Sequence, residues 1–246
     1  MIHRRLPPTL LKLTTLASTA LCLTLLASSA ALAGYNPRNP SRPVVKTGST
    51  ATRSICKPGI VANSASPSSL TVLAPRDHIG RTASTHPTLV WYVSEQESYP
   101  VEVSLFEYGT TGRGKLIRTF KLESSSGIMQ WTLPQDQPGL TPGKTYLWQV
   151  ALICNPLRPS QSQWVEAIVQ ATETPSSLQA ALQKTTDLLA RADAYAEAGF
   201  WYDALAETFK SPNAKSLRLS FLQQLSQLES PSQRSQLEAI MQSDRL

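Results

Sequence analysis

Leu140-Thr141-Pro142-Gly143-Lys144-Thr145-Tyr146-Leu147-Trp148-Gln149-Val150-Ala151-Leu152-Ile153-Cys154 is the stretch whose reading decides the fold. Pro142-Gly143 is turn chemistry, since proline presets φ and glycine tolerates positive φ. From Thr145 onward the residues are aromatic or β-branched and apolar at alternate positions, the pattern of a half-buried strand. A tyrosine just after such a turn, at the start of a late strand, predicts a tyrosine corner, its hydroxyl meeting the upstream backbone.

Working outward, the same grammar recurs. Leu70-Thr71-Val72-Leu73 is short and apolar, and Thr88-Leu89-Val90-Trp91-Tyr92-Val93 is nearly continuous after His86-Pro87. Val101 to Phe106 alternates, Gly109 to Gly114 reads as a loop, and Leu116 to Leu122 alternates with basic residues outward. Gly127 to Leu133 and Trp164 to Val169 complete the set. Six or seven short strands separated by turn signals predict an all-β sandwich over residues 70–173.

Residues 174–246 change to helical spacing. Thr174-Pro175, Ser211-Pro212 and Ser230-Pro231 read as helix starts, a capping residue followed by proline at the first helical position. Leu178, Leu182, Thr185, Leu189, Ala192, Ala196 and Gly199 predict one long amphipathic helix ended by the glycine. Trp201 to Lys210 predicts a short second helix. Leu217, Phe221, Leu225 and Leu228 mark a third, and Leu237, Ile240 and Met241 a fourth. Leu188 to Phe209 has the spacings of one tetratricopeptide hairpin, but a single copy cannot make a solenoid. The expected fold class is therefore α+β: a sandwich followed by a helical hairpin region.

The remaining sequence lies before residue 70. Residues 1–33 read as a signal peptide: basic His3-Arg4-Arg5, an apolar run from Leu16 to Leu26, and Ala31-Leu32-Ala33 before Gly34. An uncleaved membrane anchor is the competing reading. With cleavage, no membrane-spanning segment is expected in the mature chain, which is placed in the periplasm or outside the cell. Protein recovered from the envelope fraction is then expected to begin at Gly34 by mass spectrometry; an intact Met1 terminus would refute this. Residues 34–69 are rich in Pro, Ser, Thr and Arg and read as a mostly disordered basic linker, either a tether to an anionic surface or a solvated leader.

Charge is unevenly placed. The net formal charge is +6. The first 74 residues carry eight basic side chains and no acid, whereas 75–246 carry fifteen basic and seventeen acidic ones. The regions expected to fold are near neutral, which argues against a nucleic-acid-binding domain.

After cleavage two cysteines remain, Cys56 and Cys154, and an oxidising compartment predicts a disulfide between them, with two free thiols as the rival. Asp77-His78 is a conceivable half of a catalytic pair, with Ser84 or Ser94 as nucleophile, but no nucleophile-elbow motif accompanies it. His86, before a proline, reads as a turn residue. No metal-ligand spacing and no cofactor motif is present, so neither metal nor cofactor is expected. Trp91, Tyr92, Trp131 and Trp164 are the candidate ligand-facing aromatics, because neighbours such as Trp91 and Tyr92 alternate in direction and an outward ring suits glycan or protein recognition.

Two resemblances add to these readings. The spacing of Leu140, Pro142-Gly143, Tyr146 and Val150 resembles the corner of fibronectin type III domains. Taken together, Thr52-Arg53, Cys56, His86-Pro87-Thr88 with Trp91-Tyr92, Leu140 to Asn155, Trp164-Val165-Glu166, Tyr195 to Gly199 and Trp201 to Leu205 resemble the domain of unknown function 928 family. That likeness implies an exported protein of a mostly cyanobacterial family and brings no established activity. The chain departs at Ser54, where the family usually has glycine, and at Ser94, where it often has proline. The expected function is a non-enzymatic binding or scaffolding module of the cell envelope with a protein or envelope polymer as partner. An envelope hydrolase with an unrecognised site and a structural envelope component are the alternatives.

Overall fold

The computed structural model describes residues 34–38, 40–45, 56, 68–158 and 162–245, with side chains to 243. Its element order is β1 Leu70–Val72, β2 Gly80–Thr82, β3 Thr88–Val93, β4 Pro100–Gly109, β5 Gly112–Glu123, β6 Gly127–Thr132, β7 Thr145–Leu152 and β8 Gln163–Ala171. The helices α1 Ser176–Gln183, α2 Leu188–Glu197, α3 Trp201–Glu207, α4 Lys215–Leu228 and α5 Pro231–Arg245 follow, with a 3-10 turn at Pro212–Ala214. The chain is thus of mixed α+β class.

The strands form a three-stranded sheet, β1-β3-β6, and a five-stranded sheet, β2-β8-β7-β4-β5. All pairings are antiparallel except β2 with β8. Leu89 and Trp131 of the first sheet meet Val103, Leu105, Phe120 and Val169 of the second around an apolar interior. The corner is present: Gly143 has φ of 83°, and the Thr141 backbone N–H donates to Tyr146 Oη at 2.9 Å.

Two strands depart from expectation. β2 is only three residues long, too short to leave a periodic signal. β5 begins at Gly112, inside the stretch expected as a loop, because the hairpin turn is confined to Gly109–Gly112.

The helices depart more. The single long helix expected from Leu178 to Gly199 is two. Asp187 accepts from the Ala190 backbone N–H at 2.8 Å and so caps α2, a local bond that competes with continuing the first helix. Leu189, expected on the buried face, is 39% exposed, because the break turns the face; Leu228 is also exposed while Leu217, Phe221 and Leu225 are buried. Pro175 occupies the cap of α1, and Ser176 is the first helical residue. The α2–α3 hairpin does form. Gly199 has φ of 79°, and a Cβ there would meet the Arg81 guanidinium and stand 2.7 Å from the Asn36 carbonyl.

α3 is driven into the junction with the sheets. Trp201 donates from Nε1 to the Leu73 carbonyl at 3.0 Å, Trp148 donates from Nε1 to Tyr202 Oη at 2.8 Å, and Tyr202 donates onward to the Ile168 carbonyl at 3.0 Å. Asp203 accepts from the Ala83 backbone N–H at 2.9 Å and from Thr82 Oγ1 at 3.3 Å. These helical residues share one hydrophobic core with both sheets.

The described start of the expected linker is docked. Tyr35 is only 7% exposed and lies edge-on to Trp201, ring centroids 4.8 Å apart. The Asn36 N–H donates to the Ala196 carbonyl at 3.0 Å, and the Ile79 N–H to the Ser41 carbonyl at 2.8 Å. Composition missed this because one aromatic and a few backbone bonds hold the segment, and backbone pairing leaves no compositional trace. Residues 46–55 and 57–67 lie outside the described residues, as does the expected signal peptide.

Candidate functional site

A cleft of about 600 Å³ is lined by Pro37, Pro40, Arg42, Pro43, Arg76, Asp77, His78, Leu228, Glu229 and Ser230. Three chain segments meet there: the docked leader, the loop before β2, and the corner between α4 and α5. Glu229 accepts from the backbone N–H groups of Arg76 at 3.0 Å and Asp77 at 3.1 Å. Asp77 in return accepts from the Ser230 N–H. Each carboxylate thus caps the other segment's backbone. His78 stands between Glu229, with Nδ1 3.7 Å from Oε1, and Tyr35, whose hydroxyl shares a 2.9 Å hydrogen bond with Nε2.

Burial sets the protonation of this cluster. It pushes His78 down to about 4, against the opposing pull of Asp77. It pushes Glu229 up to about 7, against the backbone bonds from Arg76 and Asp77, which favour the anion. It also drives the Tyr35 hydroxyl upward, so both Tyr35 and His78 are neutral at pH 7.

The two shifts act on stability with opposite sign. Glu229 binds its proton more tightly folded than unfolded, so its contribution is full below its ordinary 4.5 and is lost as pH rises through about 7. His78 binds its proton less tightly folded, so its contribution is full above its ordinary 6.5 and is lost as pH falls through about 4. Between about 4.5 and 6.5 the two slopes oppose each other. The Glu229→Gln variant is therefore expected to lose stability more steeply than wild type as pH falls through this window, by on the order of 1 kcal/mol per pH unit. Urea midpoints of both proteins at half-unit pH steps check it, and parallel curves would sink it. Asp203, pushed up to about 6 by burial, is common to both proteins and drops out of the difference.

Asp77 and His78 do not meet the serines proposed as nucleophiles. The Ser84 hydroxyl accepts from the His86 N–H at 3.0 Å, and the Ser94 N–H donates to the Ser69 carbonyl at 3.0 Å. His86 is a turn residue, its Nε2 3.1 Å from the Gln137 carbonyl. Among the described residues no group of three or more His, Cys, Asp or Glu side chains is arranged to hold a metal ion, and no helix is long and apolar enough to cross a membrane.

Cys56 and Cys154 are joined in a disulfide with Cα atoms 4.9 Å apart. The Cys56 N–H donates to Glu95 Oε1 at 3.2 Å.

The four candidate aromatics are not brought together. Trp91 is fully buried, on the same side of β3 as Leu89. Tyr92 does point the other way, yet it is buried too, because the C-terminal helix covers it and Ser243 Oγ donates to its hydroxyl at 3.4 Å. The two are therefore not outward-facing rings. Trp131 is half-buried against Phe120, centroids 4.6 Å apart. Trp164 is half-buried with the Arg113 guanidinium 5.9 Å from its ring, and Arg113 also pairs with Glu166.

Sequence reasoning missed Glu229 and Tyr35. A glutamate just before Ser230-Pro231, where a helix must end, was the available signal for the first. It also missed the accessible patch on β5. Leu116 is 48% and Ile117 45% exposed, consecutive residues that regular alternation would place on opposite faces. β5 carries extra residues at the register shifts between Leu105 and Phe106 and between Phe106 and Tyr108, and the whole run Arg113–Arg118 is exposed, so both faces of the strand are accessible there. Among the described residues no strand pairs with the outer edge of β5.

No curated protein matches the chain. A family profile does, over residues 48–243, which is most of the sequence. The chain belongs to the family described as Domain of Unknown Function (DUF928).

Proposed function

We propose that this is an exported, non-enzymatic binding or scaffolding module of the cell envelope. The bulged edge strand β5 carries the reading. It carries exposed cationic and apolar side chains, Lys115-Leu116-Ile117-Arg118, on a sheet whose other strands are paired on both sides or, at β2, backed by α3. Among the described residues no strand pairs with its outer edge, and edge strands are recurrent sites of peptide addition. The two facing sheets are of the fibronectin type III kind in this reading, supported by the tyrosine corner and by the strand order. Tagged protein incubated with envelope extract is expected to retain a discrete partner, or pelleted cell-wall polymer, after a high-salt wash. Recovery of neither would end the proposal.

A hydrolase is the second reading, favoured by the chain Tyr35–His78–Glu229 at the cleft. It requires turnover of an ester, amide or glycoside substrate that His78→Gln abolishes. In the binding reading the same three residues fasten the leader to the domain.

A further inference from the structure

We propose that the recess between the docked leader and the end of α2 binds a phosphate monoester carried on a sugar or other polyol, held between the Arg38 and Arg81 guanidinium groups. The site lies apart from the β5 edge and stands whether or not that edge docks a partner.

The recess has a volume of about 340 Å³. Pro37 and Pro40 line both it and the cleft beside His78, so the leader separates the two. Each arginine arrives by its own route. β2 alternates, with Gly80 and Thr82 buried and Arg81 between them on the other face. Its Nη2 donates to the Ala198 carbonyl at 2.7 Å. Arg38 follows Pro37 on the leader, and its Nε donates to the neighbouring carbonyl, Glu197, at 3.1 Å. Two guanidinium groups are thus set on consecutive carbonyls at the end of α2. Gly199 leaves room for this, since a Cβ there would collide with the Arg81 guanidinium.

The helix terminus accounts for one nitrogen of each arginine, because its last carbonyls attract cations. It does not account for the remaining charge. Neither arginine forms an ion pair with a carboxylate among the described residues. Burial holds the Arg81 guanidinium below its ordinary range, and the Arg38 charge pulls the same way. Two like charges in one partly enclosed recess repel, and an anion between them relieves that.

Two uncompensated cations favour a dianion. A phosphate monoester carries about −1.5 to −2 at pH 7, whereas a carboxylate carries a single charge. Guanidinium forks also match phosphate oxygens. The rest of the recess suits what the phosphate is attached to. Ser41 and Gln170, the latter beside Arg81 in register on β8, supply polar groups. Pro37 and Ile79 supply apolar wall. Hydroxyls on one side and C–H groups on the other describe a sugar or polyol.

The test is calorimetric titration of the purified full-length protein with glucose 6-phosphate. Saturable binding at one site is expected, with glucose, glucuronate and inorganic phosphate each about tenfold weaker or more. Arg38→Glu, at an exposed position, is expected to weaken glucose 6-phosphate by about tenfold or more, and Arg81→Lys, which keeps the charge and loses the fork, by about fivefold. Arg158→Gln, beyond the opposite end of β7, is expected to leave the affinity unchanged. Circular dichroism melts check folding; should Arg81→Lys fail to fold, Arg38→Glu decides. Absence of saturable binding, equal affinity for any of the three comparison ligands, or an Arg38→Glu variant that binds like wild type overturns the proposal. So does an equal loss in Arg158→Gln, which would mean general charge attraction. Retention on phosphocellulose that free glucose 6-phosphate releases assigns the ester to a polymer. Binding of the free ester alone assigns it to a small molecule, and either result supports the site.

Discussion

Trp201→Ala is expected to destabilise the protein by about 4–5 kcal/mol, the largest effect of any single side chain here. The indole is fully buried, and truncating a buried aromatic to alanine costs about 3–5 kcal/mol in transfer and cavity terms. The ring also bonds the Leu73 carbonyl at 3.0 Å and packs edge-on to Tyr35. Deleting it leaves a buried acceptor unpaired, about 1 kcal/mol more, and loosens the docked leader. Since whole domains are stable by only about 5–15 kcal/mol, much of the total would go. Trp201→Phe keeps a ring and loses the donor, and should cost about half as much. Equilibrium unfolding in urea measures both. An alanine variant within about 1 kcal/mol of wild type would show that the helices are not held to the sheets through this residue.

The second large effect is loss of the bridge between Cys56 and Cys154. The two are 98 residues apart in sequence. Closing a loop of that size restricts the unfolded chain by about 4–5 kcal/mol in the chain-entropy model, and removal of native disulfides costs about 2–5 kcal/mol in practice. The Cys56→Ser/Cys154→Ser variant is expected to unfold at lower urea with a larger m value, because its unfolded state is less compact. Thiol labelling of the denatured, unreduced protein should find no reactive thiol from either residue. Two labelled thiols at these positions would contradict the bridge.

The strands with long alternating runs were legible, and so was the corner, because Pro142-Gly143 and Tyr146 each have one conformational use and they fall together. What stayed hidden was set by partners distant in sequence. β2 is held by Val169 to Ala171 and by Asp203 rather than by any pattern of its own. The split between α1 and α2 turned on one aspartate, which helical periodicity reads as a tolerable surface residue. The pair Trp91 and Tyr92 alternated as expected, yet the outward ring was covered by a helix nearly 150 positions later, so strand period reported direction and could not report exposure. The cleft was half visible: Asp77-His78 stood out as titratable neighbours, while their partners Tyr35 and Glu229 lie in segments that looked like leader and helix end. The β5 patch was read as plain alternation, since a bulge has no periodicity to announce it.

The Tyr35 N–H meets the side chain of Gln224, 189 positions away, within the same corner that joins the 76–78 loop to Glu229. That closure has a consequence for the order in which the molecule can be made. A chain emerging amino end first offers Tyr35 early and Gln224 nearly last. Contacts of such long sequence separation impose a late, slow step on folding. The leader is therefore left without its helical partners, Ala196 and Trp201 as well as Gln224, until α2 to α4 have arrived. A ribosome-bound chain stopped before residue 188 should be cleaved readily by protease near Tyr35, whereas the released protein should resist there.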